Sequence, residues 1–201
     1  TCTMSHYFDN EPTVRSDRRT VEVVVPGDAF EYETDTGVFS HGRLDPGTKI
    51  LLTDAPPPAD EGNLLDIGCG AGPIALSLAR RSPAAHVWAV DVNERALDLV
   101  RSNAVRLGLT NITASRPDEV PIDVVFETIW SNPPIKVGKE ELHSILGLWL
   151  PRLSPTGTAV LVVNKHLGSD SLARWLTDHG HQVRRLGSRR GYRLLAVNRP
   201  R

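Results

Sequence analysis

The chain has 201 residues, of which 40% are hydrophobic and 23% charged. These values match an ordinary globular domain and exclude a disordered chain, a fibre or a coiled coil. No apolar run approaches the roughly 18 residues of a membrane span, and the first residues lack the apolar core of a signal peptide. The two cysteines, Cys2 and Cys69, cannot build a disulfide framework, so no membrane partner and a cytoplasmic location are expected. The formal charge of −1 is unevenly spread. Residues 1–65 hold 5 basic and 12 acidic side chains, residues 66–165 hold 10 of each, and residues 166–201 hold 8 arginines against 2 acids. That distribution excludes a uniformly basic coat protein and leaves one face able to meet a polyanion.

Residues 1–19 are polar, without periodicity, and read as an arm. Val21–Val25 and Phe30–Phe39 are β-rich runs around Pro26-Gly27-Asp28, a hairpin signature. A short helix is expected over Lys49–Thr53, followed by a stiff linker through Pro56, Pro57 and Pro58. Strands then alternate with helices. Asn63–Ile67, Val87–Val92, Ile112–Ala114, Asp123–Trp130 and Thr158–Val163 read as strands. Pro73–Arg81, Glu94–Leu107, Lys139–Leu150 and Ser169–His179 read as helices. Two last strands fall near Gln182–Leu186 and Tyr192–Val197. Apolar strands alternating with helices of about ten residues or more mean βαβ units around a buried parallel sheet. The expected fold class is α/β: a doubly wound, mostly parallel seven-stranded Rossmann-like sheet over residues 61–201. Residues 1–60 are expected to form an N-terminal arm, a β-hairpin and a short helix packed on that main domain.

The first strand runs directly into Asp66-Ile67-Gly68-Cys69-Gly70-Ala71-Gly72 and then a helix. The glycines let backbone turn sharply and approach a ligand at the helix N-terminus. Asp91 follows Gly72 by nineteen residues, at the end of the second strand, where a carboxylate can accept both hydroxyls of a ribose. The arrangement suits an adenosine cofactor. A dinucleotide would bring its pyrophosphate against the Asp66 carboxylate. S-adenosylmethionine brings a sulfonium and an ammonium instead, and Asp66 favours it. Cys69 reads as a small lining residue, not a nucleophile, since no histidine is placed as its base.

The fourth strand ends in Ile129-Trp130-Ser131-Asn132-Pro133-Pro134-Ile135, facing the same crevice. An amine conjugated to a ring is a poor nucleophile because its lone pair is delocalised. The Asn132 oxygen and a rigid Pro133 carbonyl can accept both N–H groups and favour a pyramidal nitrogen. Catalysis of that kind is positioning and electrostatic preorganisation.

Residues 64–72, Asp91 and Asn132–Ile135 resemble the class I S-adenosylmethionine methyltransferases that modify planar amino groups. Further stretches narrow the likeness. They are His6-Tyr7-Phe8, Gly37-Val38-Phe39-Ser40, Leu44-Asp45-Pro46-Gly47-Thr48, Lys136 to Lys139, Lys165-His166-Leu167-Gly168 and Gly191-Tyr192-Arg193. With them the chain resembles the small single-catalytic-domain relatives of ribosomal small-subunit methyltransferase C, a 16S ribosomal RNA guanine-N2 methyltransferase family. The resemblance implies S-adenosylmethionine as cofactor, bound by Asp66, Gly68, Cys69, Gly70, Gly72, Asp91, Val92 and Asn132. It implies Asn132, Pro133 and Pro134 as the catalytic group, and ribosomal RNA or the small subunit as partner.

Three departures stand out. The second, degenerate domain of longer members is replaced by segment 1–60. Ile135 stands where many amino methyltransferases carry a stacking aromatic, which shifts that role to Phe39 or Trp130. Ser115-Arg116-Pro117 precede Asp118 where relatives place an acid for the adenine. Lys136, Lys139 and Lys165 are candidates for RNA phosphates, and Arg184, Arg185, Arg189, Arg190 and Arg193 for an RNA-facing tail. His179 and His181 have no ligands at metal spacing, so no metal is expected. Two other readings remain: the same chemistry on a protein glutamine or a small amine, and a non-catalytic RNA-binding or ribosome-assembly module.

Overall fold

The computed structural model describes residues 14–200; the His6-Tyr7-Phe8 stretch and Cys2 lie outside the described residues. The first elements are an antiparallel pair, β1 (Arg19–Val25) and β2 (Asp28–Thr34), in which Val25 pairs with Asp28 across the turn. Val21, Val23, Val25, Phe30 and Tyr32 are all buried on its inner face, as the period of two requires. The expected strand through Phe39 ends instead at Thr34. The Asp35 carboxylate accepts from the Ser16 hydroxyl and from the Asp17 and Thr36 amides, each within 2.8 Å. That local bonding turns the chain out of the strand. Helix α1 (Pro46–Asp54) is longer than expected, because Asp45 caps it and Pro46 occupies its first turn.

The central sheet contains β3 (Glu61–Ile67), β4 (Ala84–Val90), β5 (Ile112–Ser115), β6 (Phe126–Ser131), β7 (Leu153–Asn164), β8 (Gln182–Arg189) and β9 (Tyr192–Asn198). Their order across the sheet is β5-β4-β3-β6-β7-β9-β8. The first five are parallel, while β9 is antiparallel to both β7 and β8. This is the expected α/β methyltransferase-type sheet. β6 begins at Phe126 and not Asp123, since a turn closed by the Val124 amide on the Pro121 carbonyl precedes it. Helices α2 (Pro73–Arg81), α3 (Glu94–Arg106), α4 (Lys139–Trp149) and α5 (Ser169–Asp178) cover the two faces.

Alternation along the strands assigns each face its core. Leu64, Trp130, Val160 and Val162 join a cluster with residues of α1, α2, α3 and the hairpin. Leu65, Ile129, Leu161 and Val163 join a second cluster with α4 and α5. The hairpin therefore shares one hydrophobic core with the helices beside the glycine loop.

One buried polar side chain ties these parts together. Asn103, on α3, accepts from the Glu33 amide at 2.7 Å and donates to the Glu33 carbonyl at 2.9 Å and the Ala71 carbonyl at 3.1 Å. It extends the pairing of β2 and anchors the glycine loop in one stroke. Asn103→Ala leaves the half-buried amide and carbonyl of Glu33 and the buried Ala71 carbonyl without this partner, so we expect a loss of about 2 kcal/mol in urea unfolding. A change within about 0.5 kcal/mol, the usual range for a surface substitution, would contradict that role.

Candidate functional site

The strand order reverses between β3 and β6, so a crevice opens beyond their carboxyl ends. Asp66 on β3 pairs in register with Trp130 on β6. The glycine loop and the Asn-Pro-Pro segment therefore emerge side by side, and a Cβ on Gly68 would lie 3.9 Å from Pro134 Cδ. Gly68, Gly70 and Gly72 all have positive φ, at 67°, 54° and 93°. Only glycine takes that backbone freely. Gly72 has a second reason: a Cβ there would sit 2.8 Å from Val100 Cγ2, where α3 packs on α2. Among the residues lining the resulting pocket are Tyr32, Phe39, Ser40, Asp45, Thr48, Gly68, Cys69, Gly70, Ile74 and Asn132.

Asp91 accepts from the Gly70 amide through Oδ2 and from the Asn93 amide through Oδ1, both at 2.9 Å. It locks the loop to the start of α3. Asn93 caps that helix and donates from Nδ2 to the Gly37 carbonyl, which pulls the segment after the hairpin over the loop. Val92 presents its carbonyl to the Arg116 guanidinium.

Asp66 is fully buried. Its Oδ2 accepts from the Ala75 amide at 3.0 Å, while Oδ1 has no partner among the described residues. Burial foremost, then the nearby Asp91 charge, push its pKa up to about 8. Burial also raises Asp91. Burial and these two acids lift the Cys69 thiol well above its usual range, which keeps it protonated and inert as a nucleophile. Two neighbouring carboxyl groups, one of them with a buried oxygen that no described residue bonds, form a place that a cationic donor completes and a phosphate does not.

Asn132 stands directly after β6. Its Nδ2 donates to Asp45 Oδ2 at 2.7 Å and to Thr48 Oγ1 at 3.1 Å, and no described residue donates to its Oδ1. Ser131 behind it is fully buried and bonds the Ile67 carbonyl at 2.9 Å, joining the two strand ends. The Pro134 carbonyl is taken by the Val137 amide.

The candidates for base stacking separate clearly. Trp130 is 1% exposed and packs in the core beneath the Arg81 guanidinium. Its expected stacking role is thereby corrected: the strand's alternation turns it inward. Phe39 is 59% exposed at the mouth of the pocket, with its Cβ 3.9 Å from where a Gly70 Cβ would stand. Ile135 opens a single helical turn, and its side chain lies outside the described residues. Lys136, Lys139 and Lys165 are exposed. The Lys165 amide donates to the Gly191 carbonyl at 2.8 Å, which brings the end of β7 to the β8–β9 turn.

Tyr32, Asp45 and Thr48 join the site from outside the expected set. Asp45 caps α1 and Thr48 lies in its first turn, whereas the sequence pattern starts that helix at Lys49. What puts them beside Asn132 is the packing of that helix over β7, which local pattern does not carry. Among the described residues no group of three or more His, Cys, Asp or Glu converges as a metal site.

Residues 29–196 match the family model of the methyltransferase small domain. An uncharacterised Bacillus subtilis protein, YbxB, is 32% identical over 197 residues, covering 96% of this chain and 98% of its own length. The ribosomal RNA small subunit methyltransferase C of Pseudomonas aeruginosa is 34% identical over 169 residues, covering 81% of this chain but 49% of the relative. The chain thus spans about half the length, or less, of such curated relatives. A Thermus thermophilus 16S rRNA N2 methyltransferase, solved with AdoMet and guanosine, superposes with a TM-score of 0.80 over 94% of this chain and 52% of the other, at 24% identity. A precorrin-6y methyltransferase of Geobacter metallireducens superposes at 0.64 with 16% identity. The last two likenesses concern the fold.

The Asp66 environment predicts a pH signature in the ligand-free protein. Its pKa is raised on folding, from an ordinary 3.8 to about 8. Its contribution to stability is therefore complete below pH ~4 and is lost as pH rises towards 8, because only the native state holds the proton there. Urea unfolding of wild type and Asp66→Asn between pH 5 and 8 should show the variant gaining on the wild type as pH rises. A gap independent of pH would refute the assignment.

Proposed function

The chain belongs to the methyltransferase small-domain family, and we propose that it moves a methyl group from S-adenosylmethionine to an exocyclic amine of RNA, specifically guanine N2 of 16S ribosomal RNA. The observation that carries the amine is the Asn132 amide. Its N–H groups are bound to Asp45 and Thr48, so its oxygen is the atom left for a substrate donor. The cofactor supplies an electrophilic methyl on a positively charged sulfur. The free Asp66 oxygen, the open backbone at Gly68 and Gly70, and Asp91 fit its cationic and ribose portions.

Within that frame the residues divide the work. Asn132 Oδ1 and the Pro133 carbonyl accept the two N–H groups of the amine. Holding both N–H groups favours the pyramidal nitrogen, whose lone pair is then available to the methyl carbon. The geometry acts by orientation and by acceptors fixed before the reaction. Cys69 and the buried wall keep water from the reacting face. Phe39, exposed above the loop, supplies a stacking plane for the target base.

Support for RNA comes from two sides. Curated relatives named ribosomal RNA small subunit methyltransferase C match at 33–36% identity over 65–82% of this chain. In the structure, the β8–β9 turn carries exposed Arg190 next to exposed Lys165, while Arg189, at the end of β8, is paired with Asp54. Tyr192 from that turn lies 2.8 Å from where a Gly47 Cβ would be, so the arginine-rich end adjoins α1 and the crevice. Fold likeness alone does not choose the acceptor, since a precorrin enzyme shares the fold.

Transfer of labelled methyl to undermethylated small-subunit ribosomal RNA tests the reading. Asn132→Ala should cut kcat by about 100-fold or more. An unchanged rate, or no transfer to any RNA by the wild type, would overturn it. Phe39→Ala should raise KM for RNA by about tenfold, as removal of one stacking partner does, with cofactor affinity intact. Arg190→Glu should weaken RNA binding and flatten its dependence on salt. Binding insensitive to both substitutions would place the RNA on another face.

A further inference from the structure

We propose that Asp45 is a positioning residue: with the Thr48 hydroxyl, its carboxylate holds the Asn132 amide so that the oxygen faces the reacting amine. The inference rests on the proposed amine methylation and adds a residue to it that acts through Asn132. An amide has two ends of opposite character. If the NH2 end faced the substrate, donor would meet donor and the amine would be repelled. An ionised carboxylate only accepts. Asp45 Oδ2, 2.7 Å from Asn132 Nδ2, therefore admits one orientation of that amide and excludes the other. Thr48 Oγ1 at 3.1 Å takes the second N–H, so both Asn132 donors are engaged and only the oxygen remains.

The same carboxylate atom accepts from the Thr48 amide at 3.0 Å, capping α1. A carboxylate acceptor at 2.7 Å makes a short hydrogen bond to the Asn132 amide and draws electron density towards the amide oxygen, making that oxygen a stronger acceptor. Gly47 is part of the arrangement. A Cβ there would lie 3.0 Å from Asp45 Oδ2 and 2.8 Å from Tyr192 Cε1, so any side chain would push the carboxylate or the ring. The run Asp45-Pro46-Gly47-Thr48 is then more than a helix start. It caps α1, keeps clear space and orients a catalytic amide.

A helix cap alone has different consequences, and that difference supplies the test. Asn and Ser cap about as well as Asp, so Asp45→Asn and Asp45→Ser should fold and unfold near the wild-type midpoint. Asp45→Asn lets the facing amides flip together. Asp45→Ser is too short to reach Asn132. Methyl transfer to small-subunit ribosomal RNA should fall in kcat by about tenfold for Asp45→Asn and by more for Asp45→Ser. KM for RNA and cofactor affinity should each hold within about twofold.

In an Asn132→Ala background, Asp45→Ser should cost nothing further, because the two act as a unit. An equal added loss there, or a kcat untouched by Asp45→Asn, would overturn the proposal. The side-chain amide signal of Asn132 in 1H–15N spectra gives a readout that needs no activity. Its two protons should exchange slowly in the wild type and faster in Asp45→Ser. Equal exchange in both would also overturn the proposal. An inactive wild type with a protected Asn132 amide would instead point to failure of the methylation reading itself.

Discussion

Asp91 gives both carboxylate oxygens to main-chain amides, Gly70 and Asn93, at 2.9 Å each, and the crevice is arranged around that pair of bonds. A loop of glycines with positive φ has little intrinsic reason to hold one shape. Bonded to the end of β4 and to the start of α3, it becomes a rigid cradle. The constraint then spreads. Asn93 caps α3 and reaches Gly37; Asn103 on the same helix bonds Glu33 and Ala71. The hairpin and the exposed Phe39 are thereby fixed over the loop from its other side.

A buried acidic pair at the floor of a site is costly without a cation nearby. Asp66 is such a group: one oxygen lacks a donor among the described residues, and burial pushes its pKa up to about 8. The protein holds this uncompensated arrangement at the carboxyl ends of β3 and β4, where the fold places ligands. Across the crevice the opposite principle operates. At Asn132 every donor is satisfied internally, and the single group left over is an acceptor. One wall asks for a cation and the other for an N–H donor, a combination that matches a sulfonium cofactor and an amine acceptor.

Much of this could be read from the sequence, for reasons that differ by element. Apolar strands and long helices carry their own periodicity, so the α/β class and the placement of the glycine loop followed from local pattern. Strand ends were less legible. Phe30–Phe39 looks β-rich throughout, yet the Asp35 turn stops the strand, and its partners lie 18 and 19 residues away in the chain. Trp130 illustrates a second limit. An aromatic beside the Asn-Pro-Pro segment is a natural stacking candidate, but the alternation that turns Ser131 and Trp130 to opposite sides depends on register. Asp45 and Thr48 lie 87 and 84 residues from Asn132, a distance that only packing of α1 over the sheet bridges.

The near-neutral total charge conceals a basic end. That end folds into β8, β9 and their turn, and the turn lies against Lys165 and α1. An enzyme that meets RNA on one face needs no more than that, since phosphate contacts position the strand and the pocket selects the base. The most direct measurement is mass-spectrometric mapping of methylated nucleosides in small-subunit ribosomal RNA from cells with the gene, without it, and with Asn132→Ala. One N2-methylguanosine should be present in the first and absent from the other two. An identical methylation map in all three would contradict the assignment of this crevice to RNA amine methylation.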